Sequence, residues 1–107
     1  MPAMSALIVY CTVPDTDVAD HVAHRLVAER LAACVNRIPG VVSTYAWQGE
    51  VRTDAELLLL IKTTRSRFEM LRQRLVELHP YELPEIVAVD VALGLPDYLD
   101  WIESATA

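Results

Sequence analysis

Runs of β-branched residues and stripes of apolar residues at helical spacing take turns along the chain, and the points where one gives way to the other set out its elements. Leu7-Ile8-Val9-Tyr10-Cys11-Thr12-Val13 is a short β-branched and aromatic run stopped by Pro14, which predicts a first strand. Asp15 can cap the next segment, where Val18, Val22 and Leu26 recur every four residues and Ala19, Ala23 and Val27 widen the stripe, predicting an amphipathic helix to about Ala33. From Cys34 to Trp47 the composition turns to Val, Ile, Thr, Tyr and Trp, with Pro39-Gly40 marking a bulge or bend in a long second strand. Gln48-Gly49 supplies a turn, and Leu57 to Ile61 returns from it as a third strand. Ser66-Arg67-Phe68-Glu69 has the form of a capping box, and Phe68, Leu71, Leu75 and Leu78 then recur at helical spacings to about His79. After Pro80, the segment Glu85 to Leu93 reads as a fourth strand, and Pro96 opens a short helix in which Tyr98, Leu99, Trp101 and Ile102 can bury one side.

Strand, helix, strand, strand, helix, strand and a terminal helix is the split βαβ order, an α+β ferredoxin-like βαββαβ sandwich with a C-terminal helix, formed by one domain over residues 1–107. Two helices cover only one face of such a sheet, so a self-sufficient subunit needs strands that alternate apolar and polar. These strands do not alternate. Leu57, Leu59 and Ile61 point one way and Leu58 and Leu60 the other, while Ile86 and Ala88 oppose Val87, Val89 and Val91. Each large apolar side chain that becomes buried contributes about 1.5–3 kcal/mol, so the helix-free face predicts an obligate oligomer. The hairpin bent at Pro39-Gly40 can also reach a neighbouring subunit. The alternative, that the terminal helix alone covers that face, asks a helix near ten residues to span a sheet whose strands each run about 17–20 Å.

Composition narrows the partners. Nine Lys plus Arg against fifteen Asp plus Glu give a net charge of −6, which removes the phosphate-neutralising charge that nucleic acids and anionic membranes require. No apolar run approaches the roughly 20 residues of a spanning helix, and the opening Met1-Pro2-Ala3-Met4-Ser5-Ala6 lacks the basic region of a secretory signal, so a cytoplasmic location is expected. Two cysteines in a chain with 53% hydrophobic residues read as free thiols rather than a disulfide framework. Nor does the order of strands favour Cys11 pairing with Cys34, since two strand spacings, about 9.6 Å, would separate their strands.

The segments Glu29-Arg30-Leu31-Ala32-Ala33-Cys34-Val35-Asn36, Ile38-Pro39-Gly40, Tyr45-Ala46-Trp47-Gln48-Gly49, Ile61-Lys62-Thr63, His79-Pro80-Tyr81-Glu82-Leu83-Pro84-Glu85-Ile86 and Tyr98-Leu99-Asp100-Trp101-Ile102 resemble the CutA family of divalent-cation tolerance proteins, in matching order from Leu7 to about Glu103. The resemblance implies a ferredoxin-like subunit in a tight homotrimer akin to the PII signalling proteins. It also implies a role in tolerance to copper and other divalent metals, and no obligatory cofactor is expected. Cys11 matches a cysteine that copper-binding members carry after the first strand. His79 matches the second of two adjacent histidines in such members, and Leu78 replaces the first.

Thiolate and imidazole suit copper, but a tight site needs three or four protein ligands; Cys11 and His79, joined by Glu82, imply weak binding of copper or another divalent metal. The plainer alternative makes Cys11 a small buried hydrophobe and His79 a helix C-terminal residue that complements the dipole. His21 and His24, beside Asp17 and Asp20, read as a solvated helix face, as do Arg65, Arg67, Arg72 and Arg74. Trp47, Tyr45, Tyr81 and Trp101 either pack the oligomer or line a cleft between subunits, to which Lys62 and Glu85 add polar contacts. No phosphate-cradling glycine loop, Gly-x-Ser-x-Gly elbow or His-Glu-x-x-His pair is present. Three roles remain: a non-enzymatic trimer serving metal tolerance, a PII-like sensor with a small ligand in its inter-subunit clefts, and a trimeric scaffold for another protein.

Overall fold

A computed structural model describes residues 5–107; Met1 to Met4, part of the opening segment considered as a secretory signal, lie outside the described residues. The elements are β1 (Ala6–Val13), α1 (Thr16–Ala28), β2 (Cys34–Trp47), β3 (Glu50–Thr64), α2 (Arg65–Leu78), β4 (Val87–Asp90) and α3 (Pro96–Ala105). The four strands form one antiparallel sheet in the order β2-β3-β1-β4, the ferredoxin-like arrangement that the element order predicts.

Local chemistry explains most boundaries. Asp15 caps α1, its Oδ1 accepting the Val18 N–H at 2.9 Å. The helix ends five residues before the expected Ala33, because Arg30 takes a positive φ of 61° and the Leu31 N–H returns to the Leu26 carbonyl at 2.9 Å. Leu31, Ala32 and Ala33 are nonetheless buried, so the apolar stripe continues as a packed loop rather than as helix. In β2 the register shifts between Ile38 and Val41, where Gly40 has a φ of 82°. Gln48 and Gly49, with φ of 50° and 80°, form the tight turn of the β2–β3 hairpin.

The capping box expected at Ser66 is absent. Strand β3 runs straight into α2 through Thr64, which makes no side-chain cap bond; the Ser66 hydroxyl meets that of Thr64 at 3.2 Å, and Glu69 turns outward to Arg72. Strand β4 is also shorter than Glu85 to Leu93. It pairs only where β1 offers Leu7 to Tyr10; Ile86 packs against the core before it, and Val91 joins the residues around α3 after it.

The core lies between the sheet and helices α1 and α2, where Val9, Cys11, Leu59, Ile61, Leu26 and Leu75 are fully buried. On the opposite face Ile8, Tyr10, Leu58 and Leu60 are half-buried, and Val87 and Val89 are 54% and 47% exposed. Helix α3 covers only one end, where Ile102 packs on Ala6 and Ala33; Tyr98 and Trp101 remain exposed rather than completing a buried side. Most of that face is bare in the subunit. From Glu56 back to Glu50, β3 pairs among the described residues with β2 alone, so Val41–Trp47 and Glu50–Glu56 form a two-stranded ribbon that leaves the sheet by roughly 20 Å. Among the described residues no helix is long and apolar enough to cross a membrane.

Candidate functional site: a cleft beneath the ribbon

Where the ribbon leaves the sheet, it forms a cleft of about 650 Å³ with the segment that connects α2 to β4. The two-residue turn sets Tyr45 opposite Arg52 and Trp47 opposite Glu50. With a side-chain period of two, Arg52, Asp54 and Glu56 then share one side of β3 and all line the cleft. Tyr81, Glu82 and Glu85 close it from the connecting segment, and Thr12 borders it at the end of β1.

His79 anchors that connecting segment. Its Nδ1 accepts the Tyr81 N–H at 3.1 Å, which leaves the proton on Nε2 to donate to the Thr12 carbonyl at 2.8 Å. The rings of His79 and Tyr81 stand 4.6 Å apart, and the Tyr81 hydroxyl donates to Glu56 Oε2 at 2.7 Å. Burial raises the Tyr81 phenol well above its ordinary range, and the bond to Glu56 and its negative charge raise it further. Tyr45 is bonded in the same manner to Asp54, a contact that, ahead of burial and charge, raises its phenol too.

Cys11 and His79 meet at one carbonyl: the buried thiol lies 3.8 Å from the Thr12 oxygen that accepts from His79. Burial first, and then the charges of Glu85 and Glu56, push the thiol up to about 12, so it stays protonated within the apolar core. Both imidazole nitrogens are engaged, and a metal ligand needs a thiolate or a free ring lone pair. As folded, the pair does not fit a preformed copper centre. Among the described residues no group of three or more His, Cys, Asp or Glu is disposed to hold a metal ion. Both cysteines are free thiols, and His21 and His24 are exposed on α1.

Of the four cleft residues expected from sequence, Trp47, Tyr81 and Glu85 come together and Lys62 does not. Lys62 lies six residues further along β3 than Glu56, about 20 Å away, with its ammonium on Asn36. Thr12, Arg52, Asp54 and Glu56 also line the cleft, without having been expected there. The register imposed by Gln48-Gly49 places Arg52 and Asp54, and Glu56 is a lone carboxylate at the head of an apolar run; both signals lie in the sequence. The four arginines near α2 have definite partners: Arg74 reaches Glu29 and Glu77, Arg72 reaches Glu69, Arg65 reaches Asp90, and Arg67 donates to the Thr106 carbonyl.

A family model described as CutA1 divalent ion tolerance protein matches residues 7–105. The divalent-cation tolerance protein CutA of Thermus thermophilus is 54% identical over 99 residues, covering 92% of this chain and 96% of that protein. The crystal structure of CutA from Xylella fastidiosa superposes with a TM-score of 0.94 at 47% identity, over 96% of this chain and 99% of that one. A structure from Archaeoglobus fulgidus, described as a periplasmic divalent cation tolerance protein CutA, gives a TM-score of 0.92 at 32% identity, over 95% of this chain and 99% of that one.

Proposed function

The chain belongs to the CutA1 divalent ion tolerance family, and on that premise we propose that it serves the cytoplasmic response to divalent metal ions as a non-enzymatic homotrimer that binds copper or another divalent ion weakly. The observation that carries the assembly is the bare sheet face. Ile8, Tyr10, Leu58, Leu60, Val87 and Val89 form one surface that, among the described residues, α1 and α2 leave bare and α3 covers only at one end, and burying it against neighbouring copies releases the water that it holds. A two-stranded ribbon without a third strand is marginal in water, and lying against a neighbour gives the β2–β3 arm the support that it lacks. Native mass spectrometry at micromolar concentration checks this: a trimer mass is expected, and a folded monomer overturns it.

The family membership is what supports metal binding; the hydrogen bonds of His79 and the protonated thiol of Cys11 argue that any binding there is weak. For the two to act as ligands, the thiol must lose its proton and the imidazole must give up the Tyr81 N–H or the Thr12 carbonyl. Calorimetric titration with Cu(II), Cu(I) and Zn(II) on the native chain, Cys11→Ser and His79→Ala tests the assignment. Weakened binding is expected in both variants; unchanged affinity in both removes these residues as ligands.

A second reading has its own support in the convergence of Trp47, Tyr81 and Glu85 on one cleft beside the bare face. In that reading the trimer is a sensor whose small ligand sits between subunits. A saturable thermal stabiliser at one equivalent per cleft is expected, and silence across a broad panel of metabolites counts against it.

A further inference from the structure

The chemistry of the cleft selects its ligand. Four carboxylates line it, those of Asp54, Glu56, Glu82 and Glu85. Among the described residues its one basic side chain, Arg52, is turned to Glu50 at 3.3 Å. The ion pairs among the described residues engage Asp20, Glu29, Glu50, Glu69, Glu77 and Asp90, and none of the cleft carboxylates. Glu56 is the sharpest case. It is only 8% exposed, its partner is the neutral Tyr81 hydroxyl, and a buried carboxylate without a cation is costly. The charge is felt beyond the cleft, since Glu85 and Glu56 both help to keep the Cys11 thiol protonated.

The carboxylates are also too dispersed for one metal ion, which needs its oxygen donors converging at about 2.0–2.6 Å. A space of about 650 Å³ walled by the rings of Tyr45, Trp47 and Tyr81 suits a larger guest with carbon surface. Both tyrosine hydroxyls are committed to carboxylates, which leaves the rings to present their faces or edges. Carboxylates that no basic side chain pairs attract an ammonium group and repel a polyanion such as a nucleotide, while the aromatic rings offer carbon surface to the rest of the guest.

We infer that the cleft binds an organic cation, an amine or quaternary ammonium compound whose charge meets Glu56 and Glu85 and whose carbon atoms lie against Trp47 and the two tyrosines. This rests on the sensor reading above and names the class of its ligand.

Fluorescence titration of the full chain with spermidine and with tetramethylammonium, at constant ionic strength and with ATP as the anionic comparison, tests the inference. A saturable change at one equivalent per cleft is expected with the amines and none with ATP. The signal disappears in Trp47→Phe, which retains Trp101. Affinity falls about tenfold in Glu56→Gln, which keeps an acceptor for the Tyr81 hydroxyl while removing the charge. Glu85→Gln, at an exposed position, supplies the same comparison should the Glu56 variant fail to fold. Binding unchanged in whichever of these variants fold overturns the inference. Saturation by ATP in place of the amines leaves the sensor reading standing and removes the cation; no saturation by any of the three overturns the inference and counts against the sensor reading as well.

Discussion

The Nε2 of His79 donates to the carbonyl of Thr12 at 2.8 Å across 67 residues, tying the end of α2 to the end of β1 at the edge of the cleft. The same ring accepts the Tyr81 N–H, so one side chain fixes both the strand end and the segment that carries Tyr81, Glu82 and Glu85. His79→Ala leaves the Tyr81 N–H without its acceptor and the Thr12 carbonyl with only the Cys11 thiol at 3.8 Å, in a site only 7% exposed, and is expected to lower the unfolding free energy by about 1–3 kcal/mol in urea denaturation. A loss within error would show that water replaces the ring freely.

The Cys11 thiol gives a pH dependence of definite sign. Its folded value, about 12, stands above the ordinary 9.0, so the unfolded chain loses this proton first as pH rises. The contribution is fully present below pH 9.0 and is lost progressively as pH rises toward 12. Tyr81 and Tyr45, both raised, act in the same direction at higher pH. Cys11→Val should flatten the decline in stability between about pH 9 and 11 measured by denaturant midpoints. At neutral pH, iodoacetamide should modify the partly exposed Cys34 well before Cys11; equal rates would contradict the burial of Cys11.

Gly40 turns β2 with a φ of 82°, and a Cβ there would meet nothing within 4 Å. Gly40→Ala is therefore a test of backbone strain alone, expected to cost about 1–2 kcal/mol. Gly94→Ala is a test of crowding instead, because its Cβ would stand 3.1 Å from the Leu99 side chain. Thermal unfolding of the two variants, with circular dichroism at the ribbon aromatics, separates the effects; an unstrained Gly40→Ala would mean that the bulge can relax.

Val89 is 47% exposed on the bare face and contributes little to the subunit core. Val89→Lys should therefore leave the subunit folded while shifting native mass spectra from the trimer to the monomer. A persistent trimer would place the interface elsewhere.

The sequence made the sheet and its bare face legible because both arise from the unbroken apolar runs Leu57 to Ile61 and Ile86 to Val89, which put large side chains on both faces of the sheet whatever the register. Boundaries were less legible. The Ser66-x-x-Glu69 pattern competes with Arg72, which takes the Glu69 carboxylate, and with a strand that enters the helix without a break. The stripe through Ala33 hid the end of α1, because Leu31 and Ala32 are equally well buried in a loop held by the positive φ of Arg30. Of the cleft, the aromatic residues were visible as types. Glu85 was visible too, but Asp54 and Glu56 were not picked out: the turn at Gln48-Gly49 sets their side of β3, while the fold alone brings that side against the segment after α2.

The register shift at Gly40 concentrates the direction of a long arm in one residue. The rungs from Val41 to Trp47 lie on the far side of that shift from Val9, Leu59 and Leu75, which are packed in the core. A change of a few degrees at Gly40 would re-aim the tip of the arm by several ångströms, so substitutions at the bend can alter where the ribbon reaches without disturbing the interior of the subunit.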